Sequence, residues 1–190
     1  MTAVTTYYLE MTDPQELRPK QSDNPNLVIQ QVAIPLPEFN RFFYTAVGGE
    51  WYWLDRRNWS YRQWAEWVDR PELQTWVAYL SGTPVGYFEL EMQADYSVEL
   101  AYFGLLPQFV GQGLGGHLLT RAIEQGWAMG ARRVWVHTCT LDHASALANY
   151  QARGFRLYNE KTHHETLPER PPELWPGAGP RLSNLQNQSL

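Results

Sequence analysis

The chain has 190 residues, a formal net charge of −5, 44% hydrophobic residues and one cysteine. That length favours a single domain with a proper core, and that hydrophobic content excludes a disordered chain. The acidic balance, offset by no Lys/Arg cluster, argues against broad nucleic-acid binding, and one cysteine excludes an internal disulfide framework.

The N-terminus, Met1 to Tyr7, has neither a basic region nor an apolar core, so no signal peptide is expected. No apolar run approaches membrane-spanning length. Thr5 to Met11 reads as a strand stopped at Asp13-Pro14, and Leu17 to Asn26, with Pro19 and Pro25, as a loop. Val28 to Ala33 reads as a second strand. Pro37 to Val47 reads as a helix with proline in its first turn, stopped by Gly48-Gly49. Six tryptophans follow within 26 residues: Trp51, Trp53, Trp59, Trp64, Trp67 and Trp76. Ser60 with Gln63 matches a capping box and predicts a helix from about Tyr61 to Asp69. Thr75–Leu80 and Pro84–Met92 read as a hairpin around Ser81-Gly82-Thr83.

Val98 to Leu106 is apolar and aromatic, as suits a buried strand, and Pro107 ends it. Gly111, Gly113 and Gly115 then permit a tight turn and a close approach of backbone to a ligand. From Gly113 the pattern is helical, with Gly115, Leu118, Leu119, Ala122, Gly126 and Met129 at spacings of three and four. A strand, a glycine loop and a helix point the free N–H groups of the first helical turn out of the sheet, where they suit a phosphate. No lysine follows the glycines, which excludes the nucleoside-triphosphate P-loop. Gly111-x-Gly113-x-x-Gly116 also satisfies the dinucleotide fingerprint, but the next strand ends at Thr138-Cys139-Thr140 without the acidic residue that fingerprint needs.

Arg133 to Cys139 alternates as a two-faced strand. Asp142 is placed to cap a helix from His143 to Arg153, ended by Gly154, and Phe155 to Thr162 reads as the last strand. Beyond Glu165 the prolines at 168, 171, 172, 176 and 180 rule out helix and sheet. The expected layout is one domain over 1–165 and a tail over 166–190, lying on the body through Leu174 and Trp175.

Gln108-x-x-Gly111-x-Gly113, followed about forty residues on by Ala146-Leu147-Ala148-Asn149-Tyr150-Gln151-Ala152-Arg153-Gly154-Phe155, resembles the coenzyme loop and closing tyrosine helix of the GNAT superfamily of N-acetyltransferases. The resemblance spans about Gln74 to Lys161. It implies an α/β fold with a mixed, mostly antiparallel sheet and helices on both faces. It also implies transfer of an acetyl group from acetyl-coenzyme A to a small-molecule or peptide amine, by direct attack in a ternary complex. By that likeness the cofactor-binding residues are Phe103, Gly104, Leu105, Gln108, Phe109, Val110, Gly111, Gln112, Gly113, Leu114, Gly115, His143, Ala146, Asn149 and Tyr150. A cytoplasmic enzyme, monomeric or homodimeric, with no nucleic-acid or membrane partner, is the corresponding expectation. A non-catalytic coenzyme A-binding module on the same fold is the competing one.

Each candidate also has a plain reading. Tyr150 is either core or, by the resemblance, the donor to the departing thiolate. Glu99 is either a strand-end carboxylate in solvent or the general base, with Glu89 and Glu91 as alternatives on one face of the preceding strand. His143 stands where the family often carries asparagine. Cys139 reads as a small buried hydrophobe, since no His/Asp pair supports a nucleophile. His163 and His164 point to opposite faces of a strand, so no metal is expected. The tryptophan-rich stretch reads as core or lid over the acceptor, with Asp55, Arg56 and Arg57 available for polar selectivity.

Overall fold

The computed structural model describes residues 1–172. Seven strands, β1 (Thr2–Met11), β2 (Leu27–Gln31), β3 (Leu73–Leu80), β4 (Thr83–Met92), β5 (Ser97–Leu105), β6 (Arg133–Cys139) and β7 (Arg156–Glu165), form one sheet in the order β2-β3-β4-β5-β6-β1-β7. Every neighbouring pair is antiparallel except β5–β6. The helices are α1 (Pro37–Gly48), α2 (Tyr61–Val68), α3 (Leu114–Ala128) and α4 (Ala146–Ala152). They lie on both faces of a mixed, mostly antiparallel sheet, as the sequence predicts. Leu174 and Trp175, expected to hold the tail, lie outside the described residues.

The main core lies on the α3 side. Leu118, Leu119, Ala122 and Ile123 of α3 pack against Leu9, Phe88, Leu90, Val98, Leu100, Val134 and Val136, all at most 2% exposed. Truncating one such leucine or isoleucine to alanine would cost about 2–5 kcal/mol. On the other face Phe43 and Val47 of α1 pack on Val77 and Tyr87, with Phe43 stacked on Tyr87 at 5.0 Å. The capping box of α2 forms as predicted, Ser60 Oγ accepting from Gln63 N and Gln63 Oε1 from Ser60 N.

Two features of the fold shape the site. The first strand is an internal rung between β6 and β7, with Tyr8 opposite both His137 and Asn159. The helix expected from His143 begins only at Ala146. Asp142 does not cap it: its Oδ2 accepts from Thr138 Oγ1 at 2.7 Å and from Cys139 N at 3.0 Å, which closes a turn at the end of β6 instead. An aspartate that can satisfy its own preceding strand end competes with helix capping.

A bulge in β5 sets up the cleft. Glu89 faces Tyr102 and Leu90 faces Leu100, so Ala101 is the extra residue. Before it Val98 and Leu100 point to the α3 side; after it Phe103 and Leu105 do, while Tyr102 joins the α1 side. A bulge bends its strand. Here β5 pairs with β6 only as far as Glu99 opposite Trp135, and beyond that register the two strands carry no shared ladder.

Candidate active site

A cavity of about 1220 Å³ fills the opening between β5 and β6. One wall is the backbone of Leu100 to Leu105, whose edge toward β6 lacks a ladder partner. Trp51, Tyr52, Trp53 and Asp55 form the side under α1, and Ala146, Asn149 and Tyr150 of α4 the opposite side.

At one end lies the glycine loop. A 3₁₀ turn over Pro107–Phe109 leads to Gly111 and Gly113, with φ of +84° and +79°. That left-handed backbone costs a residue with a Cβ about 1–2 kcal/mol. Space for 4 Å around the absent Cβ atoms is open at both. Gly113 is the N-cap of α3 and supplies no side-chain cap, so the first-turn N–H groups face an open cradle suited to an anion. Of the predicted cofactor residues, Phe103, Gly104, Leu105, Val110, Gly111, Gly113, Gly115, His143, Ala146, Asn149 and Tyr150 border the cavity. Gln108, Phe109, Gln112 and Leu114 do not. Phe109 and Leu114 pack into the main core, and the exposed Gln112 donates from Nε2 to the Gln108 carbonyl at 2.9 Å.

The cradle gains a cation that the local sequence lacks. The loop after β1 straps across α3: Arg18 N donates to the Arg153 carbonyl, Lys20 N to Thr120 Oγ1 at 2.9 Å, and Ser22 N to His117 Nδ1 at 3.3 Å. Lys20 thereby borders the cavity beside Gly116. A Cβ on Gly116 would lie 2.6 Å from both Lys20 Cδ and Arg153 Nη1. No pattern around residue 20 signals this, because a strap one hundred residues away in sequence delivers it.

Tyr150 is 6% exposed, between Phe103 and Phe155 at ring distances of 6.0 Å. Burial, then the nearby Asp142 carboxylate, push its phenol well above the ordinary range, so it stays a protonated donor. Its hydroxyl has no hydrogen-bond partner among the described residues. His143 lies in the turn before α4, not in a helix; it meets Trp51 edge-to-face at 5.2 Å and accepts from Ser145 N.

The far end is lined by carboxylates. Glu99, its side chain 14% exposed, holds His137 Nδ1 at 3.2 Å and accepts from Gln93 Nε2 at 3.1 Å. Gln93 in turn accepts from Trp135 Nε1. Asp55 accepts from Tyr44 and Tyr102 hydroxyls at 2.6 and 2.7 Å, yet its side chain is 65% exposed. Glu91, Asp142 and Glu165 also border the cavity. Cys139 does too, but burial and Asp142 push its thiol up, which disfavours a thiolate nucleophile.

Glu89 stands apart from the cavity. It is 1% exposed, accepts from Asn40 Nδ2 and Trp67 Nε1, and lies 3.7 Å from Arg56 Nη1. Burial raises its carboxyl above the ordinary value despite those partners. Arg56, which the sequence offers for polar selectivity, borders the cavity beside Asp55. Its guanidinium is stacked inward on Trp67, Tyr102 and Trp59, at 3.4, 4.5 and 4.7 Å. The tryptophan box is therefore filled by the protein's own cation, while Trp51 and Trp53 remain as cavity wall.

Among the described residues no group of three or more His, Cys, Asp or Glu is arranged to hold a metal ion. No helix there is long and apolar enough to cross a membrane.

Comparison with known proteins adds the family. The chain is similar to a GCN5-related N-acetyltransferase from Kribbella flavida, at 20% identity and a TM-score of 0.59, over 80% of this chain and 54% of that one. A GCN5-related N-acetyltransferase from Sphaerobacter thermophilus matches at 16% identity and 0.60, over 84% and 50%. An aminoglycoside acetyltransferase from an uncultured soil metagenomic sample, solved with sisomicin, matches at 19% and 0.50, over 67% and 86%. The chain spans about half the length of the first two, and these likenesses show the fold. No curated protein matches. The model of the acetyltransferase (GNAT) family matches residues 36–155, more than half of the sequence. The chain belongs to the GNAT acetyltransferase family.

Proposed function

We propose that this protein transfers an acetyl group from acetyl-coenzyme A to an amine, by direct attack within a ternary complex. The observation that carries it is the parting of β5 from β6 beyond Glu99 and Trp135, which joins an open helix N-terminus to a carboxylate-lined chamber through one cavity.

The residues present fit the coenzyme. N–H groups at the start of α3, with Lys20 beside them, would hold the pyrophosphate. The unpaired edge of Leu100 to Leu105 would pair with the pantetheine amides as an added strand does. Such an edge also supplies an N–H to polarise the thioester carbonyl. Tyr150, kept protonated by burial, would donate a hydrogen bond to the sulfur as the thiolate leaves.

The amine enters from the side of Asp55, Glu91, Glu99 and Asp142. Their charge concentrates an ammonium there. A primary ammonium has a pKa of about 10.4 and must lose a proton before it attacks; Glu99 anchors the basic end of the site. Positioning two substrates in one cleft supplies much of the remaining rate.

The test is thiol release from acetyl-coenzyme A against an amine panel. One arm should hold aminoglycosides, since a structural neighbour of this chain was solved with sisomicin. Amine-dependent release supports transfer. Coenzyme A binding without any amine-dependent release assigns a binding module instead.

A further inference from the structure

We propose that His137, rather than Glu99 itself, takes the proton from the acceptor amine, with Glu99 acting as the residue that positions it. The inference rests on the acetyl-transfer reading above.

His137 lies on β6 two residues past Trp135, where β6 has just parted from β5, so its side chain borders the cavity at the split. Its Nδ1 is 3.2 Å from Glu99 Oε1. With the proton on Nδ1 donated to that carboxylate, Nε2 carries the free lone pair, and it has no partner among the described residues. The carboxylate is itself held in place: Gln93 Nε2 donates to Glu99 Oε2, and Trp135 Nε1 donates to Gln93 Oε1, at 3.1 Å each. A chain of three hydrogen bonds thus ends on one imidazole whose outer nitrogen is open. Each oxygen of Glu99 already holds one partner in that chain, and the imidazole presents an unengaged nitrogen to the cavity.

The charges around His137 suit the role. Glu99 on β5 faces it, with Asp142 beyond the end of β6 and Asp55 on the segment after α1; all three favour the imidazolium and raise its pKa, against burial. Tyr8 of β1 lies with its ring 6.1 Å away, Trp135 at 6.0 Å, and Cys139 is on the same face of β6. His163 and Glu165 of β7 border the same cavity and pair with each other at 2.6 Å. An imidazole near or above its usual value of about 6.5 is a stronger base than a carboxylate at about 4.3, and so better matched to an ammonium.

The proton balance closes. The ammonium gives one proton to His137 Nε2 and becomes a neutral amine. Its nitrogen attacks the thioester carbon; the C–N bond forms and the C–S bond breaks. The second proton of the attacking nitrogen leaves with the sulfur as coenzyme A thiol, and His137 returns its own proton to solvent.

The experiment measures kcat/KM against pH for the wild type, His137→Gln, His137→Ala and Glu99→Gln, with coenzyme A affinity by calorimetry and the His137 titration by NMR. His137→Gln should lose a hundredfold or more in kcat/KM with coenzyme affinity unchanged. Added imidazole should restore His137→Ala in proportion to its neutral fraction. In Glu99→Gln the NMR pKa of His137 should fall, and the acidic limb of the rate profile should move to lower pH with it. His137→Gln within threefold of the wild type overturns the role, as does an acidic limb or His137 titration unmoved by Glu99→Gln. A wild type that releases thiol with no amine in the panel overturns acetyl transfer and this role together, whereas transfer that survives His137→Gln overturns only the latter.

Discussion

The guanidinium of Arg56 lies 3.4 Å above the ring of Trp67 and 3.7 Å from Glu89, so one buried cation links the tryptophan-rich segment to the centre of the sheet. Glu89→Ala removes the buried partner of that cation, leaving only the exposed Asp55 at 3.8 Å, and should cost about 3–5 kcal/mol in chemical denaturation.

The same pair gives a pH signature. The Glu89 carboxyl is raised in the folded protein, mainly by burial, above the 4.5 it has ordinarily. Between those two values the folded state holds the proton more tightly than the unfolded chain, so its contribution to stability falls as pH rises through that window. The stability difference, wild type minus Glu89→Gln, should therefore decrease from pH 4.5 upward and level off above the folded pKa. A difference that grows with pH contradicts the assignment.

At the glycine-loop end of the cleft, Gly113 separates backbone from charge effects. Gly113→Ala meets open space but a φ of +79°, and should lose about 1–2 kcal/mol of stability with modest change in coenzyme binding. Gly113→Glu puts a carboxylate where the pyrophosphate is proposed to sit and should abolish binding by calorimetry while circular dichroism stays native. Equal affinities for the two variants would make the loop a turn and nothing more.

Lys20→Met should weaken coenzyme A roughly tenfold at low salt and keep the strap, since the bond to Thr120 uses the Lys20 backbone. The deficit should shrink at high ionic strength, where an exposed charge is screened. An affinity equal to the wild type at low salt removes Lys20 from the site.

Tyr150→Phe addresses the leaving group. Losing one well-placed donor to developing charge costs about 2.7–4 kcal/mol, a hundredfold or more in kcat. Coenzyme affinity should hold, because the hydroxyl has no partner among the described residues to release. A thioester of a more acidic thiol should recover much of the rate; failure of that rescue points to a packing role.

What the sequence shows and hides divides along contact distance. Ser60 with Gln63, the Ser81-Gly82 hairpin and the glycines before α3 are local, and each forms where its spacing puts it. Glu89 and Glu91 do share a face, as period two requires, but one is interior and the other reaches Arg70 at 2.6 Å. No local pattern tells those fates apart. His137 reads as one more residue of an alternating strand, and only the bulge at Ala101 on another strand makes it line a cavity. Asp142 shows the converse error: its sequence position suits a cap, and Thr138 claims it first.

The placement of β1 carries a consequence for how the molecule comes to be made. Its partners are residues 134–139 and 156–165, so β1 is synthesised long before either of the strands that flank it. Contacts so distant along the chain impose a loop-closure cost that local hairpins avoid, and they slow folding. During synthesis the β3–β4–β5 meander can assemble alone, while an apolar strand with Leu9 and Met11 waits unpaired. Among the described residues β7 has no other strand to pair with, so it too must await that return. The docking of β1 and of β7 is a single late event.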